Sequence, residues 1–534
     1  MNGLDVTIII LSLAIVLVVG LWTARKGTDS ASGYFLASRR LPWFLIGTSF
    51  VSTSVSSEQI VGTVGAAYRH GMKIANWELW SLPAYSLLIF VFIPIYLKNR
   101  ISTVPEFLSR RYGPRCADLY SWIMLVAYVF IFMVAVLYGG SLTFSEVTGL
   151  DRSTVLWITV GLVGAYTIRG GLASVVWTDA AQCVMLLGGG MVLFLLALSE
   201  LPGGLLEAWE SMRAAHPERF HLYNPPDDPI APFPGLIVST FGLALFYQAT
   251  NQVMIQRVLA ARSTWDGVVG IIFAGFINFL RPLATCFLGF VVFHWIHVLK
   301  HEPDLVNLDP DHAFPLALRV FSPEWGLRGI VLAGFLAAVM STISSLVNSI
   351  ATIFAFDVYG KLIRPDAPDQ RLVQVGQIAS AVALVVAALA SPVVGYLGGI
   401  FLYFQQAVTY LATPFASVAL MGVLWKRANY AGGLFGIIGG LLIQLATVAV
   451  AQAAGLTLNW LYLAFIAQVL TIAGIVIVSL LTAPPAESQW LPFLWRPGLV
   501  KEFSADLPRP WYKSSAFWFG LFAIAWVMIY WYLW

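Results

Sequence analysis

Charge is what this chain has least of. Asp, Glu, Lys and Arg make up 11% of its 534 residues, against roughly 25% in an ordinary soluble domain, so a water-facing globule is excluded. Cysteine is nearly absent. Cys116 sits in a basic stretch and Cys183 and Cys286 inside apolar runs, at no spacing that suits a disulfide framework or a metal. Low-complexity tracts and long polar segments are missing too, and a net charge of +3 gives no reason to expect a nucleic-acid partner. The opening MNGLDVTIIILSLAIVLVVGLWTARK has no basic residue before its apolar run and no small-residue cleavage site. It reads as a first membrane span and not as a removed signal.

What the chain does have is apolar length: 59% of it is hydrophobic and its mean hydropathy is +0.80. A helix needs about 20 mostly apolar residues to cross the roughly 30 Å of hydrocarbon in a bilayer, and such runs recur throughout. The sequence predicts an all-α polytopic membrane protein with fourteen spans. They lie near 5–24, 41–66, 74–97, 119–147, 153–169, 174–199 and 233–259, then 266–298, 328–358, 373–391, 399–424, 430–452, 457–482 and 514–534. Threading these spans puts 21 of the 30 basic residues on one side, Arg111, Arg257 and Arg371 among them, eight on the other, and Arg281 within a span. Basic loops stay inside, which predicts both termini outside. The longer outside segments, 200–232 and 299–327, read as short surface helices or solvated loops.

Polar groups inside the spans are few and clustered. Ionisable residues within a membrane are costly and mark function by default, and four stand out: Glu58, Glu78, Asp179 and Arg281. The run GTSFVSTSVSSEQIVG at 47–62 carries seven hydroxyls. A second run holds Ser341, Ser344, Ser345 and Ser349 at spacings of three and four, which line one helix face, with Thr342 one residue round. Such stripes have two readings. They can back-bond or let helices pack closely, or their oxygens can ligate a hard cation. Broken helices that free carbonyls for ions and solutes recur in corresponding positions of inverted repeats. Two blocks of five spans, 41–199 and 233–424, each open on a helix with a polar middle, SVSSEQ in one and FYQATNQ in the other.

Several motifs together carry a resemblance. GYFLASRRLPW (33–43), SSEQIVG (56–62), TVPEFLSRRYG (103–113) and YTIRGGLASVVWTDAAQ (166–182) are followed by NQVMIQRVLAARS (251–263) and AAVMSTISSLVNSIATIFAFDVY (337–359). In this order the chain resembles the sodium/solute symporter family, closest to its sodium–glucose cotransporter branch. The resemblance implies a LeuT-type fold of two inverted five-helix repeats, with one extra helix before and three accessory helices after, those three within 430–534. It implies sodium as the coupling ion and no organic cofactor. The main sodium site would be formed by carbonyls of Ser52, Val55 and Ala338 and hydroxyls of Ser341 and Thr342. A second sodium, held by some members, would take Asp179, Ser341, Ser344 and Ser345.

For the solute, the matching positions hold Ser54, Gln59, Glu78, Ser81, Tyr247, Gln248, Asn278 and Gln406. Sugar-transporting relatives carry asparagine where this chain has Ser54 and Ala244, lysine at Asn278 and tryptophan at Gln248. The set is polar and neutral to acidic, which suits a sugar or polyol better than a carboxylate, whose recognition calls for Arg or Lys. Arg281, three residues from Asn278, either faces the cavity or pairs with a carbonyl before Pro282. Glu58 is expected to point away from the solute. The leading expectation is sodium-driven symport of a small polar solute in the cell membrane, by rocking of one repeat bundle against the other. An organic anion is the alternative solute. A channel or uniporter would need a continuous polar pore. A sensor or enzyme would need a signalling domain or a catalytic constellation, and His294, His297, His301 and His312 have no carboxylates at metal-like spacing.

Overall fold

The computed structural model describes residues 2–24, 30–301, 303–323, 325–396, 400–499 and 510–534. Those residues are almost wholly helical, with one isolated parallel bridge between Leu41 and Ala261. Among them, eleven helices are long and apolar enough to cross a membrane, and a bent pair adds a twelfth. The other two expected spans come in shorter pieces: the broken helix at 43–70 and the helix Arg152–Ala165.

The helices that build the site are α1 (Trp43–Ser54), α2 (Ser57–His70), α3 (Met72–Lys98), α4 (Pro114–Thr148) and α5 (Arg152–Ser199). They are followed by α6 (Phe233–Thr250), α7 (Gln252–Leu259), α8 (Thr264–Asn278) and α9 (Arg281–His297). Last come α10 (Leu327–Ile363), α11 (Asp369–Ala390) and α12 (Ile400–Leu424). The segments 200–232 and 299–327 hold short helices: Gly204–Ala215 is mostly exposed, whereas Ala313–Phe321 is mostly buried and so is no surface helix.

Two glycine positions show how the bundle is set. α5 breaks at Gly171 (φ 57°, ψ −162°), a conformation L side chains rarely adopt, which separates the two expected spans 153–169 and 174–199. α1 and α8 meet where a Cβ on Gly47 would come 2.6 Å from the Gly270 carbonyl oxygen, so small residues let the backbones touch. α10 is the axis of the bundle: its most apolar stretch is almost fully buried, and it packs along the second limb of α5, beside α1. A helix that is apolar all round and still carries a serine row has only protein for those hydroxyls to face.

The break between α1 and α2 falls at Val55 and Ser56, both extended (φ −112°, ψ 101° and φ −119°, ψ −179°). No glycine or proline causes it. A β-branched residue among serines is a weak helix former, and Ser57 Oγ is drawn instead to the Val136 carbonyl on α4 at 2.6 Å. The α7 segment is similarly separated from α6 at Asn251 (φ −89°, ψ 115°), whose side chain caps Val253 N–H.

Candidate functional site

The last turn of α1 divides its side chains between two neighbouring environments. Ser49, Ser52 and Thr53 face a sealed hydroxyl–carboxylate cluster, and Ser54 faces a cavity.

In the cluster, Ser341 Oγ on α10 donates to Asp179 Oδ1 on α5 at 2.6 Å, and Ser52 Oγ donates to Ser341 Oγ at 2.9 Å. Ser49 Oγ donates to Asp179 Oδ2, with Thr53 Oγ1 3.3 Å from the same oxygen. Thr342 Oγ1 donates to the Thr53 carbonyl at 3.2 Å, a carbonyl the helix break leaves free. Every one of these side chains is buried. Val55 and Ala338 are buried as well, the first at the break and the second one turn before Ser341 and Thr342. The donors are all oxygen, neutral hydroxyls and carbonyls beside one carboxylate. That chemistry fits a hard monovalent cation and gives a soft metal no ligand.

Two neighbours of this cluster differ from expectation. Ser344 Oγ donates to its own helix, at the Ser341 carbonyl (2.9 Å), because a serine can back-bond within the preceding turn. Arg257 is not in a loop. It is 1% exposed on α7, and its Nη2 donates to Ser345 Oγ at 3.2 Å, while Ser345 and Thr53 hydroxyls lie 2.9 Å apart. A chain of two hydroxyls therefore joins a buried guanidinium to Asp179.

The cavity is lined by α1, α2, α3, α6, α8, α9 and α12 and has a volume of about 110 Å3. By the same measure one water needs about 10–15 Å3, so the space takes a small organic solute. Seven of the eight expected solute residues line it: Ser54, Gln59, Glu78, Ser81, Tyr247, Gln248 and Asn278. Gln406 does not. It is exposed, and its neighbour Gln405, 8% exposed, lines the cavity instead. Adjacent residues on a helix point about 100° apart, and two glutamines in a row hide which one faces inward. The Glu58 side chain lies outside the described residues.

Arg281 reaches into this cavity, and no carbonyl before Pro282 holds it. Its Nη1 donates to Asn278 Oδ1 at 3.1 Å and to Ser54 Oγ at 3.4 Å, and its Nη2 lies 3.7 Å from Glu78 Oε1. Thr285 Oγ1 donates to Glu78 Oε2 at 2.7 Å, and Asn278 Nδ2 to the Tyr85 hydroxyl at 2.6 Å. The pair makes the cavity polar but close to neutral. Several buried polar atoms on the lining have no hydrogen-bond partner among the described residues: Trp77 Nε1, Glu78 Oε1, Ser81 Oγ, Gln248 Oε1 and Arg281 Nε. Buried polar atoms are nearly always satisfied, so a set of them around one space calls for a ligand or water with many hydroxyl-like groups. Trp77, Trp80 and Tyr85 stand in no polar run in sequence, and only folding brings them here.

The model of the sodium:solute symporter family matches residues 34–440. A sodium/glucose cotransporter of Vibrio parahaemolyticus is 33% identical over 82% of this chain and 84% of its own length. A sodium/myo-inositol cotransporter of Homo sapiens is 30% identical over 91% of this chain and 74% of its own. Among solved structures, a Na+-coupled sialic acid symporter in a substrate-bound outward-open state superposes with a TM-score of 0.80 at 22% identity. It covers 90% of this chain and 99% of its own. Mhp1, a nucleobase-cation-symport-1 family transporter, follows at 0.54 and 14% identity, covering 87% and 98%. The fold shared with them is the LeuT-type architecture.

Proposed function

This chain belongs to the sodium:solute symporter family, and from that premise we propose that it carries a sugar or polyol inward, driven by sodium. That it is a multi-pass membrane transporter coupled to sodium, and no enzyme, follows from the family. The unpartnered donors and acceptors around the cavity carry the choice of a sugar or polyol. A polyol presents a hydroxyl in every direction, each able to donate and accept. Leaving such site atoms unmatched would cost about 1–3 kcal/mol apiece. The transport of glucose and of myo-inositol by the relatives named above supports the same class.

Sodium is proposed to bind at the break in α1, held by carbonyls of Ser52, Val55 and Ala338 and by the hydroxyls of Ser341 and Thr342. The cation and the solute then share one turn of helix, Ser52 and Thr53 on one face and Ser54 on the other. A bound cation that straightens this turn also sets Ser54, Arg281 and, through Arg281, Glu78. That is a physical route for coupling. A second sodium at Asp179, Ser341, Ser344 and Ser345 is proposed with a condition: Ser344 must leave the Ser341 carbonyl and Ser345 must leave Arg257. The two inverted repeats are assigned to 41–199 and 233–424, with 430–534 as accessory helices, and both termini to the outside.

Arg281 supports a second reading, an organic anion, because it places a cation on the cavity wall. Glu78 answers that charge, so the neutral solute is preferred. A thermal-shift screen of the purified protein against sugars, polyols and organic acids, in sodium and in potassium, tests the choice, since a ligand stabilises the state that binds it. Stabilisation by a sugar or polyol in sodium alone is expected. Stabilisation by organic acids only would replace the reading with the anion one.

A further inference from the structure

A second recess opens on the lipid side of the bundle, between α4 and α11, with α10 as its floor. Its volume is about 500 Å3, and its shape follows from two helical stripes that face each other. Trp122, Val126 and Phe130 stand along one wall at intervals of four, and Val375, Ile378 and Val382 along the other at intervals of three and four. The rims are open, with Trp122 50% and Val382 57% exposed, while Ile350 and Ala383 beneath them are buried. Both α4 and α10 contain a wide turn beside it, at Tyr128–Met133 and Phe354–Ile363, which displaces side chains from the regular packing row. From Val375 to Val386 the wall runs eleven residues, about 16 Å of helix. That is the depth of one leaflet, half of the roughly 30 Å hydrocarbon core.

The end of this groove is chemically different from its length. Tyr359 closes it; Arg371 Nε donates to the Tyr359 hydroxyl at 3.4 Å, and the Arg364 amide donates to the Tyr359 carbonyl at 2.8 Å. Both arginines are exposed. Lys361 is already paired with Asp118 at 2.7 Å, and Asp369 accepts from the Ala31 amide at 3.0 Å. Asp366 is the remaining acid on that loop, and two arginines outnumber it. An apolar channel one leaflet deep that ends beside two exposed arginines, Arg364 and Arg371, matches an acyl chain and its phosphate. Basic pockets between spans recognise anionic headgroups in this way, and guanidinium grips phosphate with two parallel hydrogen bonds.

We infer that this groove is a binding site for one anionic phospholipid, its acyl chain between α4 and α11 and its phosphate on Arg364 and Arg371. Its floor is the same helix, α10, that carries Ser341 and Thr342, so the bound lipid braces the helix of the cation site. The inference is independent of which solute the transporter carries. The test uses the full chain, stripped of lipid in detergent, with dioleoyl phosphatidylglycerol, dioleoyl phosphatidylethanolamine and glycerol phosphate as probes. Retention is read by native mass spectrometry and stabilisation by melting temperature. Phosphatidylglycerol should bind at least tenfold more tightly than phosphatidylethanolamine, as two surface arginines imply, and glycerol phosphate should do nothing. R364Q/R371Q, which changes only exposed side chains, should bring the two lipids level. Ala379→Trp should fill the groove and release both, while Leu442→Trp, on another lipid-facing helix, should behave as the parent protein. Equal retention of the two lipids by the parent protein, or a preference that survives R364Q/R371Q or A379W, would overturn the inference. So would stabilisation by glycerol phosphate alone, which would mark a plain anion site.

Discussion

Replacing Glu78 by Gln removes one charge from the cavity wall and little else. Glutamine keeps the size of the side chain and an oxygen that can still accept from Thr285. The distance from Glu78 Oε1 to Arg281 Nη2 is 3.7 Å, and both side chains are buried or nearly so, at 0% and 7%. At about 4 Å, opposite charges attract by about 4 kcal/mol at an effective dielectric of 20. Breaking a fully buried pair costs about 3–5 kcal/mol because the survivor is left uncompensated. Here one side of the pair faces a solvated cavity, which lowers the expected cost to about 2 kcal/mol, a factor of about 30 in an equilibrium constant. E78Q should therefore melt at a lower temperature than the parent protein. It should bind glucose and myo-inositol more weakly, by roughly tenfold to thirtyfold, and should gain measurable affinity for a sugar acid such as glucuronate. The double variant E78Q/R281Q should regain part of the lost melting temperature but should not bind the acid. Thermal shift and uptake into proteoliposomes read these quantities separately. An E78Q protein with unchanged melting temperature and unchanged solute ranking would refute the view that Glu78 neutralises Arg281.

Ser341→Ala removes the donor to Asp179 Oδ1 and the acceptor for Ser52. Hydrogen bonds to charged groups contribute about 1.5–3 kcal/mol, so half-maximal activation by sodium should rise tenfold or more, with solute binding at saturating sodium much less affected. Asp179→Ala tests the second sodium: a Hill coefficient above one in the parent that falls to one in the variant supports it, and normal transport with a coefficient of one in both ends it. Gln405→Ala should impair uptake, whereas Gln406→Ala should leave it within a factor of two or so; the reverse result would place α12 in a different rotation. His312 Nδ1 donates a hydrogen bond at 2.8 Å to Glu146 Oε1, and that bond holds the His312 pKa above its ordinary value. A raised folded-state pKa stabilises fully below the unfolded value, about 6.5, and the contribution fades as pH rises through the raised one. Amide exchange in Ala313–Phe321 should accelerate across that window, and His312→Gln should abolish the pH dependence.

Much of this molecule is readable from its sequence because the membrane imposes a strict rule. A span must be about 20 residues of apolar helix, and polar residues that violate it are worth explaining one by one. That rule picks out the run at 47–62, the serine row at 341–349, Glu78 and Asp179, while the eight candidate solute residues come from the family resemblance, and seven of them line one cavity. It fails where a side chain's direction decides the outcome. Arg257 stands near the end of its helix and reads as loop-facing, yet it is buried against Ser345, since only tertiary packing turns it inward. Arg281 is undecided in sequence because the kink before Pro282 offers both a carbonyl and a cavity. Gln405 and Gln406 are identical neighbours, and their choice depends on the rotation of α12. Trp77, Trp80 and Tyr85 are single aromatics in an aromatic-rich chain, with no pattern to separate a cavity wall from ordinary packing.

Sodium and a polyhydroxylated solute are proposed to move together through the turn that joins Ser52 to Ser54. Proteoliposomes holding the purified protein, given an inward sodium gradient and labelled glucose or myo-inositol, measure it directly. The solute should accumulate above its outside concentration in sodium, should not in potassium, and should collapse to equilibrium when the gradient is dissipated. Entry that stops at equal concentrations, with or without a sodium gradient, would mean an uncoupled pathway and would contradict the claim.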